Sequence, residues 1–174
     1  MFNTTIATQI YAKICFEATN SQKKIIENLS EYLSDDDFSR IFVLNGFAGT
    51  GKTTLIAALV AALKELRIKP VLLAPTGRAA KVLARYCGEQ ALTIHKRIYR
   101  QRTNADYESK FSLDFNREQG AVFIVDEASM LSDSTGDGAL FGSGSLLEDL
   151  VSYVRSGRGC RLILVGDSAQ LPPV

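Results

Sequence analysis

The segment IFVLNGFAGTGKTTL (residues 41–55) places an apolar run before a glycine-rich loop and an Ala- and Leu-rich stretch after it. The loop fits G-x-x-x-x-G-K-[ST], the phosphate-binding pattern, in the strand–loop–helix context that this pattern requires. Its glycines let the backbone curl around phosphate oxygens, so that N–H groups and the positive end of the following helix face the anion. We expect Lys52 to reach the β- and γ-phosphates and the Thr53 hydroxyl to bind Mg²⁺. The expected ATP-binding residues of this segment are Gly46, Gly49, Thr50, Gly51, Lys52, Thr53 and Thr54.

Composition and charge limit the classes of protein that the chain can represent. At 174 residues, with 46% hydrophobic and 22% charged residues, it has the length and composition of one globular domain. The net charge of +1 excludes a strongly basic protein, so any nucleic-acid binding would depend on a local patch. The sequence has no basic leader and no apolar run of about 18 residues, which predicts a cytoplasmic protein without a membrane segment. Cys15, Cys87 and Cys160 lack disulfide or zinc-site spacing, so we expect reduced, buried thiols.

Apolar periodicity in the first half of the chain predicts helices on both sides of the phosphate loop. Ile6, Ile10 and Ile14 recur at helical spacing over residues 4–15, although alternation at this position leaves a strand possible. The capping box Thr19-Asn20-Ser21-Gln22 predicts the start of a second helix. The other features expected here are the apolar face of that helix at Ile25, Ile26, Leu29, Tyr32 and Leu33, a helix over 52–67, a strand over 71–74, a helix over 77–86 and a short helix from Thr93.

Residues 101–119 interrupt this alternation of strands and helices. Apolar and polar residues alternate there with a period of two, which predicts a half-exposed strand within a small β-hairpin inserted in the main sheet. Residues 121–125 are continuously apolar, as in a central parallel strand. The apolar positions of the alternation are Tyr107, Phe111, Leu113 and Phe115. Further along the chain we expect a Gly/Ser/Asp loop over 132–144, a helix that begins at a Ser145–Glu148 capping box, and a strand over 161–165.

The order of these elements predicts an α/β fold, a mostly parallel sheet flanked by helices with the nucleotide outside the carboxyl ends of the strands. Asp126 and Glu127 directly follow the strand at 121–125. We expect Asp126 to hold Mg²⁺ and Glu127 to position or activate the water that attacks the γ-phosphate. Gln170 follows the last strand and is expected to contact the γ-phosphate. The residues expected to be catalytic are therefore Lys52, Asp126, Glu127 and Gln170.

The order of motifs from Phe16 to Val174 resembles that of superfamily 1 DNA helicases of the RecD-like and Dda-like branch. The motifs are FEATNSQ, GFAGTGKTT, APTGRAAKVL, TIHKRIY, VDEASM and LVGDSAQLPPV. The resemblance implies a RecA-like P-loop NTPase lobe that binds ATP, Mg²⁺ and single-stranded DNA. It implies that Gln22 reads the adenine edge and that Gln170 couples the γ-phosphate to DNA. The residues that it implies to lie along DNA are Pro75, Thr76, Arg78, Thr93 and His95.

Several of these residues also suit purely structural roles. Gln22 completes the capping box, and Thr76 and Thr93 are of the type that caps helices. His95 is equally compatible with a structural histidine. The basic run from His95 to Arg102 is either a DNA-binding patch or a solvated face. In the family, the insert between the TIH and DEAS motifs often acts as a pin that separates strands, but its shortness here argues against that role.

The resemblance further implies a second motor lobe, because helicases of this family bind ATP between two lobes and use arginines of the second lobe. The sequence ends after the motifs of the first lobe, so residues 1–174 are expected to form one lobe that binds nucleotide weakly and hydrolyses it very slowly. The parent protein is expected to be a 5′ to 3′ DNA helicase, in or outside a recombination or repair complex. A PhoH-like ATPase and a non-catalytic nucleotide-binding module are the alternatives.

Overall fold

A five-stranded parallel sheet forms the centre of the chain in the computed structural model, which describes residues 2–47, 49–103, 109–131 and 142–167. Its strands lie side by side in the order β1-β7-β6-β2-β3. All four residues of the central strand β6 are buried, as expected where helices cover both faces of a parallel sheet. The strands are β1 (Ile41–Asn45), β2 (Pro70–Ala74), β3 (Ala91–Thr93), β6 (Val122–Val125) and β7 (Arg161–Gly166). The predicted α/β fold is confirmed.

Six α-helices and one short 3₁₀ helix are present in the described part of the chain. The first segment, for which the sequence left a helix or a strand possible over residues 4–15, is a helix. The predicted capping box of the second is complete, because the Thr19 hydroxyl accepts a hydrogen bond from the Gln22 N–H and the Gln22 side chain accepts one from the Thr19 N–H. The helices are α1 (Phe2–Lys13), α2 (Asn20–Ser34), α3 (Lys52–Glu65), α4 (Gly77–Cys87), α5 (Ile94–Ile98) and α6 (Leu146–Ser156), and the 3₁₀ helix is Ala128–Met130.

Two apolar cores lie on opposite faces of the sheet. Helices α1, α2 and α3 cover one face, where Ile26, Leu59 and Leu63 are fully buried against residues of β1 and β7. Helices α5 and α6 cover the other face around Phe123 and Leu150. Burial of each such side chain contributes about 1.5–3 kcal/mol, so the packing of both layers fixes where the strand ends lie.

The inserted hairpin differs from its prediction in two respects. It consists of β4 (Tyr99–Thr103) and β5 (Ser109–Leu113), which pair antiparallel in a sheet of their own and do not join the main sheet. The apolar alternation also ends with β5, because Phe115 is 66% exposed while Asn116 is 1% exposed. Asn116 turns inward since its Nδ2 donates to the Val154 carbonyl oxygen at 3.4 Å. Tyr107 lies outside the described residues, as do residues 132–141 of the predicted loop.

One strand was not predicted, and the predicted burial of the cysteines is corrected. The three-residue strand β3 was not predicted, and Cys15 is exposed, so only Cys160 of the cysteines is a buried thiol. At the start of α6 the Ser145 hydroxyl accepts from the Glu148 N–H at 3.3 Å, which is the first of the two bonds of a capping box. In the described part of the chain, no helix combines the length and the apolar character that crossing a bilayer requires.

Tyr32 of α2 joins the helical layer to strand β7. Its hydroxyl accepts a hydrogen bond from the Leu162 N–H at 3.0 Å and donates one to the Leu162 carbonyl oxygen at 2.9 Å. Pairing between β1 and β7 begins at Ile41, opposite Leu162. The buried hydroxyl therefore satisfies strand groups of β7 at the point where the ladder to β1 begins.

The substitution Tyr32→Phe is expected to lower the free energy of unfolding by about 1–3 kcal/mol, because it leaves two buried backbone groups without this partner. It keeps the ring contact with Phe42, whose centroid is 5.5 Å away. Urea denaturation would measure the loss. Tyr11→Phe, at an exposed tyrosine, serves as the control and should change the free energy by no more than about 0.5 kcal/mol. An equal effect of the two substitutions would contradict the role assigned to the Tyr32 hydroxyl.

Candidate nucleotide site

The phosphate loop is built around a glycine in the left-handed region at the start of α3. Gly51, with φ of 81°, is the N-cap of this helix and provides no side-chain hydrogen bond to it. The start of α3 thus lacks the side-chain cap that α2, α4, α5 and α6 have, and uncapped N–H groups at a helix start suit an anion. Lys52 Nζ donates to the carbonyl oxygens of Gly46 and Phe47, the latter at 2.7 Å. The lysine is therefore held against the loop.

A cavity of about 410 Å³ joins the phosphate loop to the predicted carboxylates. Asp126 and Glu127 follow the carboxyl end of β6, and Glu127 adopts a left-handed φ of 54°, which is uncommon for a non-glycine residue. The Glu127 N–H donates to Asp126 Oδ1 at 2.9 Å, which holds the first carboxylate at the strand end. The residues around this cavity include Lys52, Thr53, Asp126, Glu127, Ser129 and Asp167.

The carboxyl group of Asp126 is partly desolvated. Burial raises its pKa above the ordinary value, while the Glu127 N–H and the positive charge of Lys52 act in the opposite direction. A carboxylate kept in such surroundings is stabilised by any further positive charge that enters the cavity. The desolvation of Asp126 thus favours binding of a cation beside it.

The donor groups at this cavity fit Mg²⁺. A Thr53 hydroxyl and an Asp126 carboxylate are oxygen ligands, the kind that Mg²⁺ prefers, and magnesium commonly takes only one or two protein ligands together with water and phosphate. Within the described residues, no cluster of three or more His, Cys, Asp or Glu side chains is arranged to hold a metal ion. A magnesium ion with these two protein ligands would complete its coordination with water and phosphate oxygens.

A second cavity, of about 670 Å³, shares Gly49, Gly51, Lys52 and Thr54 with the first. Gln22 lines it with its Oε1 bonded to the Thr19 N–H and its Nε2 3.5 Å from the Thr50 carbonyl oxygen. From this position Gln22 can both cap α2 and contact a base bound in the cavity. Phe16 and Phe47 contribute exposed apolar surface. Of the expected ATP-binding residues, Gln22, Gly46, Gly49, Thr50, Gly51, Lys52 and Thr54 line this cavity, and Thr53 lines the first.

The residues expected to contact DNA lie at the ends of two neighbouring strands. Pro75, Thr76 and Arg78 follow β2, and Thr93 and His95 stand at the end of β3, which pairs with β2 in parallel. Parallel strands end at one edge of the sheet, so both groups share the edge that carries Asp126. The threonine hydroxyls cap α4 and α5, each accepting a backbone N–H bond at 3.2 Å.

The basic run that follows is only partly free to bind an anion. Arg97 Nη2 lies 2.6 Å from Glu118 Oε1, and the His95 ring packs against Tyr99 with 5.6 Å between centroids. Arg97 therefore has a structural partner, whereas Lys96 and Arg100 are exposed. Among the described side chains of the run, Lys96 and Arg100 are therefore the ones best placed to contact DNA.

Sequence reasoning missed two residues at the phosphate cavity. Ser129 Oγ is buried and has no hydrogen-bond partner among the described residues. Tyr86, near the end of α4, is 62% exposed and stands at the cavity wall. Ser129 follows Asp126 by three residues in the DEAS motif, so that motif was an available signal, but nothing in the sequence marks Tyr86. Gln170 lies outside the described residues.

Comparison with known proteins identifies the relatives of the chain. The family described as an AAA domain matches residues 17–174. The chain is 30% identical to the ATP-dependent RecD2 DNA helicase of Deinococcus radiodurans over 88% of the chain and 19% of that protein. It is 35% identical to the RecBCD enzyme subunit RecD of Mycobacterium tuberculosis over 77% of the chain and 24% of that subunit. For the ATP-dependent DNA helicase dda of Enterobacteria phage T4 the identity is 34%, over 75% of the chain and 28% of that protein.

The substitution Asp126→Asn is expected to stabilise the protein at pH 7 in the absence of Mg²⁺ and nucleotide. The raised pKa means that the folded state binds the Asp126 proton more tightly than the unfolded state does. Protonated Asp126 therefore stabilises the unsubstituted protein fully below the ordinary aspartate pKa of 3.8, and this contribution is lost as the pH rises. The asparagine side chain would carry no charge and would keep the acceptor for the Glu127 N–H. Thermal unfolding of both proteins at several pH values measures the gain, which should shrink as the pH falls.

Asp37→Asn is the matched control with the opposite sign. Hydrogen bonds from the Ser39 side chain and backbone lower the pKa of Asp37, so its contribution to stability is present above the ordinary aspartate pKa and lost as the pH falls through the lowered one. This substitution should therefore lower the unfolding temperature at pH 7. A loss of stability in both variants would show that burial of the Asp126 charge carries no cost.

Proposed function

Because the chain belongs to the AAA domain family and, within superfamily 1, to the RecD-like and Dda-like helicase motor lobes, we propose that it is the ATP-binding first lobe of an ATP-dependent DNA helicase. The observation that carries the proposal is the cavity in which Lys52 and Thr53 of the phosphate loop meet Asp126 and Glu127. The strand ends with Thr76 and Thr93 share that edge of the sheet.

Phosphate binding begins with an exchange of hydrogen bonds. Lys52 Nζ, now bonded to carbonyl oxygens of the loop, would turn to the β- and γ-phosphates, while the first N–H groups of α3 receive the remaining charge. The exchange replaces neutral acceptors by anionic ones, which form stronger hydrogen bonds. Lys52 is therefore the residue on which nucleotide affinity depends most.

Thr53 and Asp126 are the residues that we propose for Mg²⁺, Thr53 directly and Asp126 directly or through water. When bound, the ion neutralises charge on the phosphate oxygens. Glu127 is the proposed positioner of the attacking water, because its exposed side chain lines the same cavity as the half-buried Asp126. Gln170 is the proposed contact to the γ-phosphate.

Gln22 is proposed to recognise the adenine base in the larger cavity. Its Oε1 already accepts from Thr19, and a carbonyl oxygen has a second lone pair with which to accept a base amino group. The capping bond fixes the side-chain rotamer and so reduces the entropy lost on binding. The structural role of Gln22 in this way supports the functional one.

Single-stranded DNA is proposed to bind along the edge formed by Pro75, Thr76, Arg78, Thr93 and His95. A threonine hydroxyl that accepts a backbone N–H still has its own proton to donate, so capping of α4 and α5 leaves Thr76 and Thr93 able to contact a phosphate. Backbone and hydroxyl donors of this kind follow phosphates without reading sequence. The edge thus suits translocation on any sequence.

The chain spans between 19% and 28% of the length of the curated relatives reported above. We propose that a second RecA-like lobe in the parent protein closes the nucleotide cavity and supplies arginines to the γ-phosphate, as part of a 5′ to 3′ motor, in or outside a recombination or repair complex. An arginine supplied in this way raises hydrolysis by about 10³ to 10⁵. Hydrolysis by the isolated lobe is therefore expected to be very slow, and robust unwinding by it would contradict the proposal.

Nucleotide-dependent thermal stability tests the binding site. With Mg²⁺-ATPγS at about 100 times its dissociation constant, the native state should gain about 2.7 kcal/mol, seen as a higher unfolding temperature. Lys52→Ala should abolish the gain. Lys24→Ala, which removes an exposed lysine from α2, is the control and should keep it. An unchanged gain in Lys52→Ala would overturn the proposed site.

A further inference from the structure

A polar cavity of about 440 Å³ lies apart from the nucleotide site, beside the base of the hairpin. It is lined by Arg97, Arg100, Asp114, Phe115, Arg117, Glu118 and Tyr153. Glu118 precedes the amino end of β6, whereas Asp126 follows its carboxyl end, so the two cavities belong to opposite ends of that strand. The residues expected to bind ATP do not line this cavity, nor do Pro75, Thr76, Arg78, Thr93 and His95, whereas Arg97 and Arg100 of the basic run do.

The positive charge of the cavity is not cancelled by its carboxylates. Glu118 is paired with both Lys69 and Arg97, at 2.8 Å and 2.6 Å. Among the residues that the structure describes, no carboxylate forms an ion pair with the exposed Arg100 or Arg117. Two guanidinium groups are thus available to an incoming anion.

Phe115 stands beside these arginines with most of its ring in solvent, and the chain holds it there. The Asp114 N–H donates to the Ile98 carbonyl oxygen at 2.7 Å, and Asp114 Oδ1 accepts from the Phe115 N–H at 2.9 Å. On the other side, Asn116 is buried and its Oδ1 accepts from the Glu118 N–H at 3.0 Å. The exposed ring therefore projects from a segment that is anchored before and after it.

Gly157 provides the space for this anchor. A Cβ atom at Gly157 would lie 2.4 Å from Asn116 Nδ2, so only glycine permits the close approach. The Asn116 N–H donates to Ser156 Oγ at 3.2 Å at the end of α6. Side-chain and backbone contacts thus converge to keep an apolar ring exposed next to the two guanidinium groups.

We propose that Phe115, Arg100 and Arg117 form a second binding surface for single-stranded nucleic acid, here called the Phe115 surface. A base stacks on the Phe115 ring, and the two arginines bind adjacent phosphates. Aromatic rings next to arginines bind single strands in this way without sequence preference, because every base has a π-face. The choice of single-stranded DNA as the ligand rests on the proposed function, whereas the position of the Phe115 surface follows from the contacts described above.

Fluorescence anisotropy with a labelled oligothymidine of about 15 nucleotides, a length within the range of single-strand binding sites, tests the stacking contact in the chain at low salt. Phe115→Ala should weaken binding by about 5- to 150-fold, the range expected for loss of one base–aromatic stack. Phe115→Tyr keeps the ring and should retain the affinity of the unsubstituted chain. Because Phe115 is largely exposed, both variants should fold, and their unfolding temperatures check this.

The salt dependence of the same binding tests the phosphate contacts. Arg100→Ala and Arg117→Ala should each reduce the slope of log K against log salt concentration by about 0.7, and Phe115→Ala should leave this slope unchanged. Arg67→Ala removes an exposed arginine beyond the end of α3 and is the control. It should change neither the affinity nor the slope.

The outcomes separate this proposal from the proposed function. If the unsubstituted chain binds the oligonucleotide and Phe115→Ala binds it equally well, the Phe115 surface is wrong while DNA binding at the other edge stands. If no binding occurs with or without Mg²⁺-ATPγS, both DNA assignments fail for this chain. If the arginine variants lose binding to poly-glutamate while Phe115→Ala leaves oligonucleotide binding unchanged, the surface takes an acidic polypeptide and the nucleic-acid assignment is overturned.

Discussion

The parallel register of the main sheet is the constraint on which the nucleotide site depends. Asn45 at the end of β1 pairs with Gly166 at the end of β7, and Val125 at the end of β6 pairs with Leu164. Parallel strands must bring their carboxyl ends to one edge, where the chain leaves the ladder and its backbone groups become available to a ligand. The phosphate loop and the carboxylates after β6, which are distant in the sequence, therefore meet in one cavity.

Much of the fold and of the nucleotide cavity could be predicted because local rules determine them. The loop before Lys52 requires glycines and a helix start, the Thr19–Gln22 box requires neighbours three residues apart, and the strand before Asp126 is uniformly apolar. These requirements are all met within a few residues of the chain. Pattern and chemistry therefore agree at each of these positions without knowledge of the tertiary structure.

The parts that were not predicted depend on distant contacts. Alternation predicted Phe115 on the apolar side of the strand, yet Phe115 is exposed and Asn116 is buried instead. The Asn116 side chain bonds the Val154 carbonyl oxygen and lies against Gly157, and both of these residues are far along the chain. Strand β3 has three residues and forms only because β2 offers it a partner. Ser129 lines the phosphate cavity just after Glu127, whose positive φ is a conformation that a glutamate in a sequence does not signal.

In the nucleotide cavity, the positive charge of Lys52 has hydrogen-bond partners, whereas the negative charge of Asp126 is partly desolvated. Lys52 is satisfied by the carbonyl oxygens of its own loop, whereas burial raises the pKa of Asp126 despite the positive charge of that lysine. A phosphate with its magnesium ion would reverse both conditions at once, because it draws the lysine away and brings positive charge to the carboxylate. Phosphate and metal should for this reason bind cooperatively, and either one alone should bind weakly. We therefore propose that this cavity prefers a metal-bound nucleotide to either component alone.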